Sequence, residues 1–169
     1  MLFTLADADP STVFRLWFER QDRLEPVFNL YFGALYDRDP YLEVKFLAFA
    51  QALETYDLRC RGRPERMNLA ARVRDVLSQC EAVSRRIVGD DLDAFVVEFR
   101  DARNYYTQYD PGLETRAAKG HRLLLLTTQL QTILEMSFLV ELGFAAEAIE
   151  GILERSRRFA QIEVVRQST

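Results

Sequence analysis

The stretch Leu123–Leu142 is apolar around most of a helical circumference, and it constrains the fold more than any other part of the chain. A helix that is hydrophobic on nearly all sides has to be enclosed by its neighbours. The chain is therefore read as helices gathered around one central, buried helix, with Gly143 at its C-cap. Thr, Gln and Glu interrupt the run well before ~18 apolar residues accumulate, so it reads as core and not as a membrane span.

The remaining segments supply the enclosure. Leu42, Phe46, Phe49, Leu53 and Tyr56 recur at helical spacing between about 41 and 59, with Glu43, Lys45, Gln51 and Glu54 mostly between them. Met67 to Ile87 carries a second such stripe, with Arg66, Arg72, Arg74, Arg85 and Arg86 assigned to its outer face. Gly89-Asp90-Asp91 closes that pattern and caps the next, whose inner stripe is Leu92, Phe95, Val96, Phe99, Ala102 and Tyr106. At the start, Ser11 is the expected N-cap of a helix with Val13, Phe14, Trp17 and Phe18 inward, and Pro26 is expected to break or restart it. The final pattern, Phe144 to about Val165, places Ala148, Ile149, Ile152, Leu153, Phe159 and Ile162 inward and Arg155, Arg157 and Arg158 outward. No sustained period-two alternation and no repeat is present. The expected fold is all-α, a single domain over 1–169 built as a bundle of about six helices.

Composition narrows what such a bundle can do. A net charge of −4 argues against coating nucleic acid with a basic surface, so any RNA contact must be local. All basic residues except Lys45 and Lys119 are arginines, with a cluster at Arg59, Arg61, Arg63 and Arg66. That cluster reads either as solvated helix faces or as a phosphate site, since the guanidinium fork suits phosphate. Cys60 and Cys80 match no metal spacing and read as reduced thiols of a cytoplasmic protein. The first residues lack the basic flank and apolar run of a signal peptide, and neither export nor membrane insertion is expected. No Gly-rich phosphate loop, zinc spacing, nucleophile elbow or paired metal carboxylates appear, so no cofactor and no metal are expected.

The segment Phe99-Arg100-Asp101-Ala102-Arg103-Asn104-Tyr105-Tyr106-Thr107-Gln108-Tyr109-Asp110-Pro111 ends the fourth long helical pattern, and Pro111-Gly112 stops it. Asn104 and Gln108 are four apart and share a face, while Arg103 lies about 100° round from Asn104. A cation, an amide and a second polar group thus gather at one helix end. Without further information, Tyr105, Tyr106 and Tyr109 could simply pack that end, with Arg103 and Asp101 as solvated charges.

An Arg, a polar residue, three more positions and a His is the signature of the HEPN ribonucleases. Arg103-Asn104-Tyr105-Tyr106-Thr107 resembles it, with Gln108 where the family carries its His. The wording is most similar to the ApeA-like branch, associated with bacterial defence by abortive infection. Leu24–Phe32, the segment Ala52–Tyr56 and Leu139–Phe144 also resemble the C-terminal all-helical part of ApeA-like proteins. Longer members carry an N-terminal β-rich sensor domain, so the chain is expected to be an excised or naturally short C-terminal domain.

The resemblance implies metal-independent RNA cleavage: the ribose 2′-OH attacks the adjacent phosphate, leaving a 2′,3′-cyclic phosphate and a 5′-OH. Such chemistry needs a proton carrier near neutrality and a cation for the phosphorane. Arg103 fits the cation; Asn104 would orient its motif partner or donate to the phosphate; Tyr109 would add to RNA binding. Gln108 keeps hydrogen-bonding capacity but cannot carry a proton, which implies a site that holds RNA and cuts it slowly or not at all. Gln108 fits equally an introduced disarming substitution and a motif decayed into a binding or dimerising module. Glu54 is either an ion-pair partner supporting Arg103 or an exposed charge. His121, five after Arg116, is read as a decoy on the first turn of the buried helix. The resemblance further implies a homodimer in which two motif helices form one cleft; the alternative is a noncatalytic module that dimerises or binds a partner helix.

Overall fold

The computed structural model describes residues 3–4, 7–62 and 67–167; Arg63 and Arg66, named above, lie outside them. Eight α-helices are found among the described residues: α1 Pro10–Tyr36, α2 Leu42–Cys60, α3 Leu69–Leu77, α4 Glu81–Val88, α5 Leu92–Gln108, α6 Gly120–Glu141, α7 Ala146–Glu154 and α8 Arg157–Gln167. No strand is present among these residues. The all-α expectation holds, with two of the expected helices each divided. The 67–87 pattern bends through a 3₁₀ turn at Ser78–Cys80, where the Ser78 hydroxyl donates to the Asp75 carbonyl. The last pattern divides at Arg155 and Ser156, and Ala148, expected inward, is exposed beside the buried Ile149.

The centre is α6. Leu130, Ile133, Leu134, Met136 and Leu139 are each 0% exposed, and successive residues point about 100° apart, so the helix is covered on every side. It is the one helix among the described residues long and apolar enough to cross a membrane, yet 83% of its most apolar stretch is buried in the domain. Gly143 follows it with φ 84°. The Phe144 N–H donates to the Leu139 carbonyl and the Gly143 N–H to that of Val140, a Schellman ending that a residue without Cβ favours. A side chain at 143 would also place its Cβ 2.7 Å from Leu16 Cδ1.

Two carboxylates of α6 are buried, and each is matched. Glu141 accepts from the Tyr56 hydroxyl at 3.0 Å and pairs with Arg20 at 2.9 Å. Glu135 accepts from the Tyr31 hydroxyl at 2.5 Å and from Arg158 at 2.5 and 2.6 Å. Arg158 therefore turns towards the core, against the outward face expected for it, because a carboxylate 6% exposed needs a cation. Arg72 departs in the same way: it is 7% exposed and pairs with the fully buried Asp57 at 2.8 Å.

α1 corrects three expectations. Its N-cap is Asp9, whose carboxylate accepts from the Thr12 N–H at 3.0 Å and from the Ser11 hydroxyl; Pro10 takes the first helical position. Its inner line runs through Val13, Leu16, Leu24, Val27 and Tyr31, leaving Phe14 and Phe18 60% and 66% exposed. The helix also runs unbroken across Pro26. Proline removes the N–H that would serve the Asp22 carbonyl. Arg59 of α2 replaces it, donating from Nη2 to Asp22 O at 3.0 Å and from Nε to Arg23 O at 3.1 Å.

Arg59→Ala is expected to cost ~0.5–1.5 kcal/mol in urea unfolding. That cost should shrink in a Pro26→Ala background, where residue 26 can serve the carbonyl itself, as a double-mutant cycle would report.

Burial and the Glu141 carboxylate push the Cys60 thiol up to about 11 from 9.0. Burial raises the Tyr31 and Tyr56 hydroxyls in the same direction, with Glu135 and Glu141 adding to it. These groups deprotonate more readily in the unfolded chain, so the stability Cys60 contributes is complete below pH 9 and is lost as pH rises towards about 11, while that of the two tyrosines begins to be lost only above pH 10.0. Urea midpoints should agree between about pH 7 and about pH 8.5 and fall markedly by about pH 10.5.

Candidate functional site

α5 begins where Asp91 accepts from the Ala94 N–H at 2.8 Å, as expected for its cap. Phe95, Phe99, Ala102 and Tyr106 form its buried stripe. Phe46 of α2 meets both the Phe99 ring, at 6.1 Å, and the Tyr106 ring, at 5.9 Å. That stripe fixes the helix's rotation about its own axis, and Arg103 consequently faces α2 at the edge of the core.

There Arg103 meets Glu54. Nε lies 3.0 Å from Oε1 and Nη2 3.3 Å from Oε2, a two-pronged pair whose side chains are 33% and 27% exposed. Nη1 points at Asn104 Oδ1, 3.4 Å away. Of the two readings of Glu54, the ion-pair partner is the one realised. The contact holds the guanidinium in a fixed orientation while leaving one edge open to solvent and to Asn104.

The helix then ends abruptly. Tyr109 adopts φ 51° and ψ 44°, the left-handed region, which is uncommon for a residue with a large side chain. Its ring is 60% exposed and meets the rings of Tyr105 and Tyr106 at 5.4 and 5.9 Å. Asp110 accepts from the Gly112 N–H at 2.9 Å and starts the 3₁₀ turn Pro111–Leu113. Gln108 is exposed in the last turn of α5, one turn beyond the half-buried Asn104. Its side chain makes no hydrogen bond among the described residues.

Arg103, Asn104 and Glu54 are thus joined by direct contacts, while Gln108 and Tyr109 stand on the same helix end with no hydrogen bond to Arg103 among the described residues. Arg116 is drawn 3.5 Å from Asp101, which is 4% exposed and also holds Arg100 at 2.8 Å. His121 is exposed on the first turn of α6, and no hydrogen bond joins it to Arg116 among the described residues. Tyr106 is equally unsuited to proton transfer: burial raises its hydroxyl, which donates to the Ala118 carbonyl at 2.9 Å. No group of His, Cys, Asp or Glu able to hold a metal is found among the described residues.

A groove of about 630 Å³ opens beside Arg103 between α2, α3 and α5, with Leu47, Gln51, Met67 and Thr107 among its walls and Arg72 at its back. Neither the groove nor the buried Asp57–Arg72 pair was expected from sequence. The signal for the pair was present: Asp57 continues the stripe of Phe46, Ala50 and Leu53, and an acid on a buried stripe requires a cation.

An all-helical bundle with an Arg-Asn pair at the end of an inner helix defines a class of domain, and comparison with family models gives it a place. The Apea-like HEPN family matches residues 47–148, from within α2 to within α7, with every motif residue inside. The chain belongs to that family. The match omits Leu24–Phe32, to which the resemblance had also extended. No curated protein and no solved structure matches the chain significantly.

The two ion pairs at this groove should differ sharply in their weight for folding. Glu54→Ala, at a partly exposed pair, is expected to cost no more than ~1 kcal/mol in urea unfolding. Asp57→Ala, which strands a buried guanidinium, is expected to cost ~3–5 kcal/mol.

Proposed function

We propose that the chain is a HEPN-type endoribonuclease domain of antiphage defence whose RNA site is retained and whose proton transfer is impaired. The observation that carries this reading is Arg103, oriented by Glu54 through two contacts and placed beside Asn104 at an exposed helix end. In the reaction, the 2′-oxygen forms a bond to phosphorus as the bond to the 5′-oxygen breaks. The proton leaving the 2′-OH needs an acceptor and the departing 5′-oxygen needs a donor. Arg103 would bind the charge that accumulates on the phosphorane oxygens, and Asn104 would orient the residue one turn on. Gln108, standing where the family has His, hydrogen-bonds but moves no proton.

The domain would act as a homodimer with two motif helices facing each other, so that paired Arg103 side chains give a local positive site on an acidic protein. Cys60 and Cys80 are free thiols, which suits a cytoplasmic setting. A second reading, a noncatalytic module that dimerises or binds a partner helix, is favoured by Gln108 itself and by the exposed Phe14 and Phe18.

Gln108→His is expected to raise RNA cleavage by ~10²–10⁴, with 2′,3′-cyclic phosphate ends, and Arg103→Ala in that background should abolish the gain. Electrophoresis of end-labelled RNA and chemical identification of the ends would check both. A folded Gln108→His protein that stays inert would favour the noncatalytic module.

A further inference from the structure

The outer side of α1 carries a seam that the rest of the domain leaves largely uncovered. Phe14, Phe18, Gln21, Glu25, Phe28 and Phe32 follow one another at alternating intervals of four and three residues, the spacing that keeps one side of a helix turned to a neighbouring helix. The helix runs through all six without a break, and its 27 residues make it about 40 Å long. The core takes a different line of the same helix, Leu24, Val27 and Tyr31, each at most 3% exposed.

Several rings of the seam are already held in place. Phe28 rests between Trp17, at 5.0 Å, and Phe138 of α6, at 4.9 Å. Phe32 stands 5.9 Å from Phe28, and Tyr36, 73% exposed, extends the line by stacking on Phe32 with 11° between planes. Single exposed rings are ordinary, whereas aromatic groups at both ends of one helix face form a patch of the kind that marks an interface. The centre of the face is polar. Gln21 and Glu25 are both exposed, and neither side chain has a hydrogen bond or ion pair among the described residues.

The order of groups is self-complementary: two rings, an amide, a carboxylate, two rings. Two copies of α1 laid antiparallel, with the two-fold axis beside Arg23, bring Phe14 against the partner's Phe32, Phe18 against the partner's Phe28 and Gln21 against the partner's Glu25. The amide can donate to the carboxylate, and the symmetry provides that contact twice. Parallel alignment would set Glu25 against its own counterpart, which like charges oppose.

We propose that α1 is a self-association face that pairs antiparallel with α1 of a second copy in this register. The contact goes beyond the motif-helix pairing proposed above and is separate from it. It uses a helix outside residues 47–148 and leaves α5 free, so either contact stands if the other fails. A protein using both faces assembles beyond the dimer.

Trp17 is the only tryptophan and borders this face, so its emission reports on α1 and not on α5. The test is sedimentation velocity of the full chain from about 1 to about 500 μM, with Trp17 emission recorded on the same samples. The mean mass should double across that range, and the emission should shift to the blue in step with it as Trp17 leaves water. Phe18→Glu, at an exposed position, should melt like the parent, weaken association by about tenfold or more and abolish the emission shift. Gln21→Lys should tighten association by about threefold or more, since each lysine then meets the partner's Glu25. The proposal is overturned if mass and emission both stay constant, if mass rises while emission does not move, if Phe18→Glu associates like the parent, or if Gln21→Lys loosens the pair, as lysine against lysine would in a parallel one.

Discussion

Everything else in the domain depends on enclosing α6 without stranding its two buried carboxylates. An apolar helix would be satisfied by any greasy neighbours, but Glu135 and Glu141 require specific donors. Glu141 takes Arg20 from α1 and Tyr56 from α2; Glu135 takes Tyr31 from α1 and Arg158 from α8. These contacts fix α1 and α2 against the central helix. α2 in turn presents Glu54 on one side, and α5 packs its Phe99 and Tyr106 against Phe46 on the same helix. Arg103 reaches Glu54 because both helices have been placed by the core.

This origin gives the candidate site its character. Arg103 is held at the edge of a well-packed region, so its orientation costs little extra entropy when an anion arrives. Glu54 serves and also opposes that arrival, since a phosphate must share or displace a two-pronged carboxylate. On the proposed reading, the Arg-Asn pair is a poised site with a built-in competitor, and the residue that would complete its chemistry is an amide at position 108.

Much of the architecture was legible from periodicity. The stripes of α2, α5 and α6, the Asp91 cap and the glycine after α6 all act within a few residues of one another, which is the range over which sequence pattern speaks. The family was legible from the wording of the motif, and the contact with Glu54 settles a choice that the sequence left open. What escaped reading was long-range pairing. Nothing near Pro26 announces that Arg59 will serve the carbonyl it exposes, and Arg158 and Arg72 look like surface charges until Glu135 and Asp57 are brought to them. Periodicity also assigned Phe14 and Phe18 to the inside, because it identifies a stripe without saying how far along the helix a neighbour covers it.

The central claim is that Arg103 meets an RNA phosphate. It is tested most directly by the salt dependence of RNA affinity, measured for the parent and for Arg103→Ala. Loss of one phosphate contact should lower the log–log slope by about one. An Arg103→Ala protein that remains folded and keeps both the parent affinity and the parent slope would contradict the claim.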